Sequence, residues 1–440
     1  MSPSHVRTEV ATSIPEVLHL LQQDPHTYFE QLEAIFEERE PEIKAFLPEK
    51  HRFSRLREEY KELEERYPDP EARPPMFGLP VGVKGILHVD GFETRAGSKI
   101  PADRLAGQQA TSLTQLKDAG ALVLGKTVAT EFAYFAPGPT RNPHNLEHTP
   151  GGSSSGSAAG VAAGLAPIAL GTQTIGSINR PAAYCGVVGF KPSYGRISAA
   201  GLVPLAPSLD HVGTFTTDIG GTLITAPFLL ADWKLESLDR DLAPGSATLG
   251  IPRGPYMQGA SDEAIAHFES VMIRLEAGGL RLIDVPAMPD HAEIVQRHYL
   301  ILAAEAAAVH REWFDEFGML YAAKTAELIE RGREISDDQL AKAIEGRGKL
   351  REQLQALMAE YRIDAWVSPA ATGPAPKGLE NTGDPAMNLP WTHSGLPTIG
   401  MPSGWSANDL PLGIQITGSW YGDERLLAEA VAVERALMED

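Results

Sequence analysis

Between His148 and Asn179 the chain carries no Asp, Glu, Lys or Arg and is dense in glycine and serine, reading HTPGGSSSGSAAGVAAGLAPIALGTQTIGSIN. Across the whole chain 22% of residues are charged, so a run this long without charge is expected to be buried. Glycine at this density is poor material for a plain apolar core, because each one costs backbone entropy on folding. It belongs where backbone must come very close to something else. Gly156, Gly160 and Gly164 form two overlapping GxxxG pairs, a spacing also used by membrane helices. Ser153, Ser154, Ser155, Ser157, Pro167, Thr172 and Gln173 nevertheless leave no apolar run of about 18 residues, the length a span needs. The segment therefore reads as a small-residue helix pressed against a sheet.

The remaining composition narrows the class. At 440 residues the chain exceeds a usual single core, so one very large domain or two are expected. The formal net charge of −20 with no basic stripe argues against nucleic acid and against an anionic membrane surface. A lone cysteine, Cys185, excludes an intramolecular disulfide and a cysteine-based zinc site. MSPSHVRTEVATSIPEV has no apolar core of a signal peptide, so a cytoplasmic location is expected.

Residues 1–75 read as charged helices packed on the core, with Ser13-Ile-Pro-Glu as a helix start. From Phe77 to Val89 the chain turns short, β-branched and nearly uncharged, as a buried strand should be. A helix over Gln108 to Asp118, a strand over Ala121 to Leu124 and another over Ile168 to Leu170 follow, an alternation that predicts an α/β fold. Residues 262–361 read as a helical insertion, with Ser336-Asp-Asp-Gln339 as a capping box. Ala365 to Val367 and Leu412 to Ile416 return to sheet, and Glu424 to Met438 closes as a helix. The expected architecture is one large domain, residues 76–440, with a helical cap.

Two motifs tempt and fail. His144-Asn-Leu-Glu147-His148 has the spacing of an inverted zinc-protease motif, but Pro143 and Thr149-Pro150-Gly151-Gly152 leave barely one helical turn. GGSSSGS resembles a phosphate-binding loop, yet no lysine follows at the required distance. Three residues remain: Lys84, interrupting an apolar strand, and the glycine-preceded Ser153 and Ser177. Singly, each has an ordinary reading as an edge lysine or a turn serine.

Together with their surroundings they resemble the amidase signature family. The resemblance rests on Gly78 to Gly91, Asn142 to Gly164, Thr172 to Ser198, Ser208-Leu-Asp210, Gly395 to Gly404 and Leu410 to Gly418. It implies a large mixed sheet flanked by helices and a Ser–Ser–Lys triad: Ser177 as nucleophile, Ser153 as bridging serine after a cis peptide, Lys84 as base. It further implies an oxyanion hole from the N–H groups of Thr174, Ile175, Gly176 and Ser177. The family commonly has an acidic residue at the position of Gln173 and arginine at that of Asn179, so the polar network differs here.

The implied activity is hydrolysis of an amide, anilide or carbamate C–N bond in a small molecule through an acyl-enzyme, a urethanase included. It needs neither metal nor organic cofactor, and suits a monomer or homodimer. An amidotransferase A-type subunit releasing ammonia to a partner protein is the alternative. A non-catalytic small-molecule binding protein would account for the fold but not for Lys84, Ser153 and Ser177 together. Tyr134, Ile175 and Trp391 are candidate walls of the substrate pocket.

Overall fold

A computed structural model describes residues 12–235 and 247–438; the first eleven residues of the N-terminal segment lie outside the described residues. Ten strands among the described residues join one sheet. They are β1 (Pro80–Lys84), β2 (Leu122–Thr127), β3 (Ile168–Gln173), β4 (Val188–Lys191), β5 (His211–Thr216), β6 (Thr248–Arg253), β7 (Arg281–Pro286), β8 (Ala365–Pro369), β9 (Thr398–Trp405) and β10 (Pro411–Thr417). The order across the sheet is β2-β1-β3-β5-β4-β9-β10-β8-β6-β7. At one end β1 runs parallel to both β2 and β3, and at the other β6 runs parallel to β7 and β8; the strands between pair antiparallel. β1 through β5 are buried along their whole length, antiparallel β4 and β5 as fully as the parallel β1 and β2.

The N-terminal helices Ile14–Gln23, Pro25–Ile43 and Arg52–Arg66 pack into the same hydrophobic core as the sheet. They also close its β2 edge. Leu47 N–H donates to the Lys126 carbonyl, and the Arg55 guanidinium donates to the carbonyls of Val123 and Leu124. An edge whose carbonyls are occupied cannot recruit another strand.

The small-residue helix Ser155–Ala162 lies buried against this edge. A methyl group at Gly156 would stand 2.0 Å from the Ala45 carbonyl oxygen and 2.4 Å from the Val128 nitrogen. The glycine is thus required by close backbone approach. Among the described residues, no helix is long and apolar enough to cross a membrane.

Residues 262–361, read as a helical insertion, also carry a strand. Helices Asp262–Ala277, His291–Val309, Ala323–Arg333 and Asp337–Tyr361 are present, and Ser336 and Gln339 form the capping box, but β7 runs between the first two. It is an outer strand of the sheet with a mostly exposed face, so it lacks the apolar run that marks the buried strands.

Candidate active site

Lys84 is the last residue of β1, and the loop carrying Ser177 leaves the end of the neighbouring parallel strand β3. Parallel pairing puts both at the same edge of the sheet. Ser153 comes from the turn before Ser155–Ala162, and the Gly152–Ser153 peptide bond is cis. Lys84 Nζ lies 2.7 Å from Ser153 Oγ, 2.6 Å from Thr172 Oγ1 and 3.4 Å from the Thr172 carbonyl oxygen. The other two serines of the run do different work. Ser154 Oγ donates to the Thr172 carbonyl and accepts from its N–H, and Ser155 Oγ donates to the Gly151 carbonyl.

Lys84 is completely buried, and loss of water holds its amine well below the usual lysine value, opposed by the negative field of Asp210. A neutral amine has two N–H donors and one lone pair. The contacts match that count: the Thr172 hydroxyl and carbonyl can each accept, which leaves the lone pair for the Ser153 hydroxyl proton. Nothing in the sequence around Thr172 singles it out. Its part in the site depends on a contact spanning 88 positions.

Ser177 is buried near the surface, and its hydroxyl makes no hydrogen bond to another described residue. The structure therefore joins Lys84 to Ser153 directly but leaves Ser177 out of that hydrogen-bonded chain. Among the described residues, none of the N–H groups of Thr174, Ile175, Gly176 and Ser177 donates to a protein acceptor. Four consecutive amides free of partners are what an oxyanion site requires. Gly176 is forced by space, since a methyl there would stand 2.5 Å from Asn388 Oδ1.

Gln173 secures the other side of this loop. Its Oε1 accepts from the N–H groups of Ile178 and Asn179, and its Nε2 donates to Thr392 Oγ1. The amides that start helix Asn179–Cys185 are thereby taken up inside the protein, while those of the loop before the helix stay unpaired. Thr392 Oγ1 donates in turn to the Ile175 carbonyl at 2.5 Å. Asn179 Nδ2 donates to the Gly189 carbonyl, and buried Arg180 donates to the Gly152 carbonyl at 2.7 Å and to Thr382 Oγ1 at 3.2 Å. An amide pair at 173 and 179 braces the loop without a charge.

The pocket candidates separate. Ile175 lies buried in the loop itself, and Tyr134 is half-buried with its ring 4.7 Å from that of Phe135. Trp391 is corrected to a core residue. It is buried against Trp366 and Tyr256, and its indole donates to Tyr256 Oη at 2.8 Å. His144 and His148 each turn a ring nitrogen to a backbone carbonyl, of Cys185 and Ala375 respectively, each at 2.8 Å.

Known proteins resemble this chain in sequence and fold. A family model described as Amidase matches residues 37–427. The A-type subunit of the glutamyl-tRNA(Gln) amidotransferase of Koribacter versatilis (strain Ellin345) is 31% identical over 411 residues, covering 83% of this chain and 85% of the relative. A solved crystal structure of an amidase superposes with a TM-score of 0.85 at 27% identity, covering 96% of this chain and 99% of the other. The solved A-type subunit of the Thermotoga maritima glutamyl-tRNA(Gln) amidotransferase gives 0.77 at 27% identity, covering 96% and 94%.

Proposed function

The chain belongs to the amidase family, and on that premise we propose that it cleaves the C–N bond of an amide through an acyl-enzyme on Ser177. The observation that carries the reading is the 2.7 Å contact between Lys84, whose neutral form burial favours, and Ser153. Ser177 Oγ attacks the carbonyl carbon while its proton passes to Ser153 Oγ, whose own proton moves to the Lys84 lone pair. The substrate oxygen, now an anion, is met by the free amides of residues 174–177. As the C–N bond breaks, the proton returns along the same path to the leaving nitrogen. Water then repeats the sequence on the acyl-enzyme, with Lys84 again the base. The gap at Ser177 closes in this reading when substrate is bound, as catalytic hydrogen bonds commonly tighten only in the complex.

Two settings for this chemistry are open to test. Identity to A-type amidotransferase subunits over four-fifths of the chain supports release of ammonia to a partner protein. The higher TM-score to the solved amidase, and the amide pair Gln173 and Asn179, support a free-standing hydrolase of amides, anilides or carbamates. The sequence relatives weigh more heavily toward the first. Purified protein, alone, assayed on aliphatic amides, p-nitroanilides and aryl carbamates separates the two. Sustained turnover without a partner sinks the obligate-subunit reading. Turnover with no mass adduct on Ser177 sinks the acyl-enzyme.

A further inference from the structure

On the acyl-enzyme reading, each proton transfer leaves a cationic Lys84 whose side chain is completely buried. Asp210, one residue before β5, is a buried acid whose field reaches the amine. Its Oδ1 accepts from Thr174 Oγ1 at 2.6 Å, and its Oδ2 accepts from the N–H groups of Leu205 and Ala206 at 3.0 and 3.1 Å. We infer that Asp210 is a positioning residue for the reaction: its carboxylate is the counter-charge to protonated Lys84 and, through Thr174, the anchor of the oxyanion loop. The inference rests on the proposed roles of Lys84 and Ser177.

The geometry runs through two threonines. Thr172 lies in β3 and Thr174 one residue past its end, two positions on, a spacing of roughly 7 Å along the chain. Lys84 sits on the first and Asp210 on the second. Three donors converging on one carboxylate favour its anionic form. Burial works the other way and raises Asp210 to about 6, with the nearby Glu305 adding to the rise. Tyr194 also feels Asp210, and like it is neutral when protonated and adds no cation. His211, the next residue in the chain, is held well below its ordinary value by burial, with Lys191 and Arg347 adding to the drop, which disfavours its cation too. Gln173, between the two threonines, carries no charge, and Asp210 is the acid whose field reaches Lys84.

Asp210→Asn tests this with little change of shape. Its Oδ1 can still accept the two amides while Nδ2 donates to the Thr174 hydroxyl. Removing the anion makes protonated Lys84 less favourable. The acidic limb of kcat/KM should therefore move down by at least about one pH unit, with kcat reduced roughly 10–100-fold and KM little changed. Thr174→Val keeps the charge and breaks the hydrogen bond, so it should slow the reaction without moving the limb. An unmoved limb in Asp210→Asn overturns the inference, whatever the rate. Covalent labelling of Ser177 by a fluorophosphonate reports that each variant is folded.

Absence of Ser177 labelling in the wild type would instead sink the acyl-enzyme reading, and this inference with it.

Discussion

Two strands of the sheet end in a buried lysine, β1 in Lys84 and β4 in Lys191, and the two ends differ in what meets the amine. Burial depresses both, Lys191 to about 7 and Lys84 also well below its ordinary value. Lys191 Nζ donates to carbonyls, that of Leu396 at 2.5 Å and that of Pro192 at 3.2 Å. Lys84 Nζ faces the hydroxyls of Ser153 and Thr172 as well as a carbonyl. A carbonyl can only accept, so it ties down an amine and offers its lone pair nothing. A hydroxyl can also donate, so it offers a proton to be taken. Burial makes either lysine a weak acid, and the hydroxyl chain turns one of them into a proposed base.

The comparison can be broken first at Lys84. Lys84→Met should lower kcat by about 10²–10⁴-fold, the range for loss of a general base, while Lys191→Met should stay within about threefold of wild type. Steady-state kinetics on one amide substrate measures both, and equal losses would end the distinction. Next in size, Thr172→Val removes one acceptor from Lys84 but leaves the carbonyl. A loss of roughly tenfold is expected, about one hydrogen bond, with Ser177 labelling slowed to match.

Stability against pH sharpens the other side. The folded-state value of Lys191 lies near 7 and the unfolded value near 10.5, so the unfolded chain binds more protons between them. Stability from this group therefore rises with pH across about 7 to 10.5, falls over the same window as pH drops, at up to roughly 1.4 kcal/mol per pH unit, and is gone below about 7. Urea unfolding of Lys191→Met should show that slope reduced; an unchanged slope would mean Lys191 does not titrate in this window. The smallest effect is expected away from both lysines. Trp391→Phe should cost about 1–2 kcal/mol of stability through the lost bond to Tyr256, with KM unchanged, whereas Tyr134→Ala should raise KM.

Much of the fold is legible because buried strands leave a plain trace. β1, β2, β3, β8 and β10 sit where apolar, β-branched runs predict them, and the capping box at Ser336 starts its helix. β7 escapes such a reading because an outer strand with a mostly exposed face needs no apolar run. Trp391 misleads for a related reason. A large aromatic suits a pocket wall and a core equally, and only its indole bond to Tyr256 separates the two. Thr172 and Asp210 lie within motifs that carry the resemblance, but nothing local shows what they touch, since each owes its place to a partner distant in the chain.

By itself, the sequence determined that the stretch from His148 to Asn179 is buried and that its glycines serve close backbone approach, because charge and side-chain size are carried residue by residue. The family resemblance pointed to Ser153 within the serine run, and its 2.7 Å contact with Lys84 now gives that choice a geometry. The different surroundings of Lys84 and Lys191 were decided only by the tertiary structure. Both are lysines at the ends of buried strands, and a proton moves along hydrogen bonds whose partners are neighbours in space rather than in sequence.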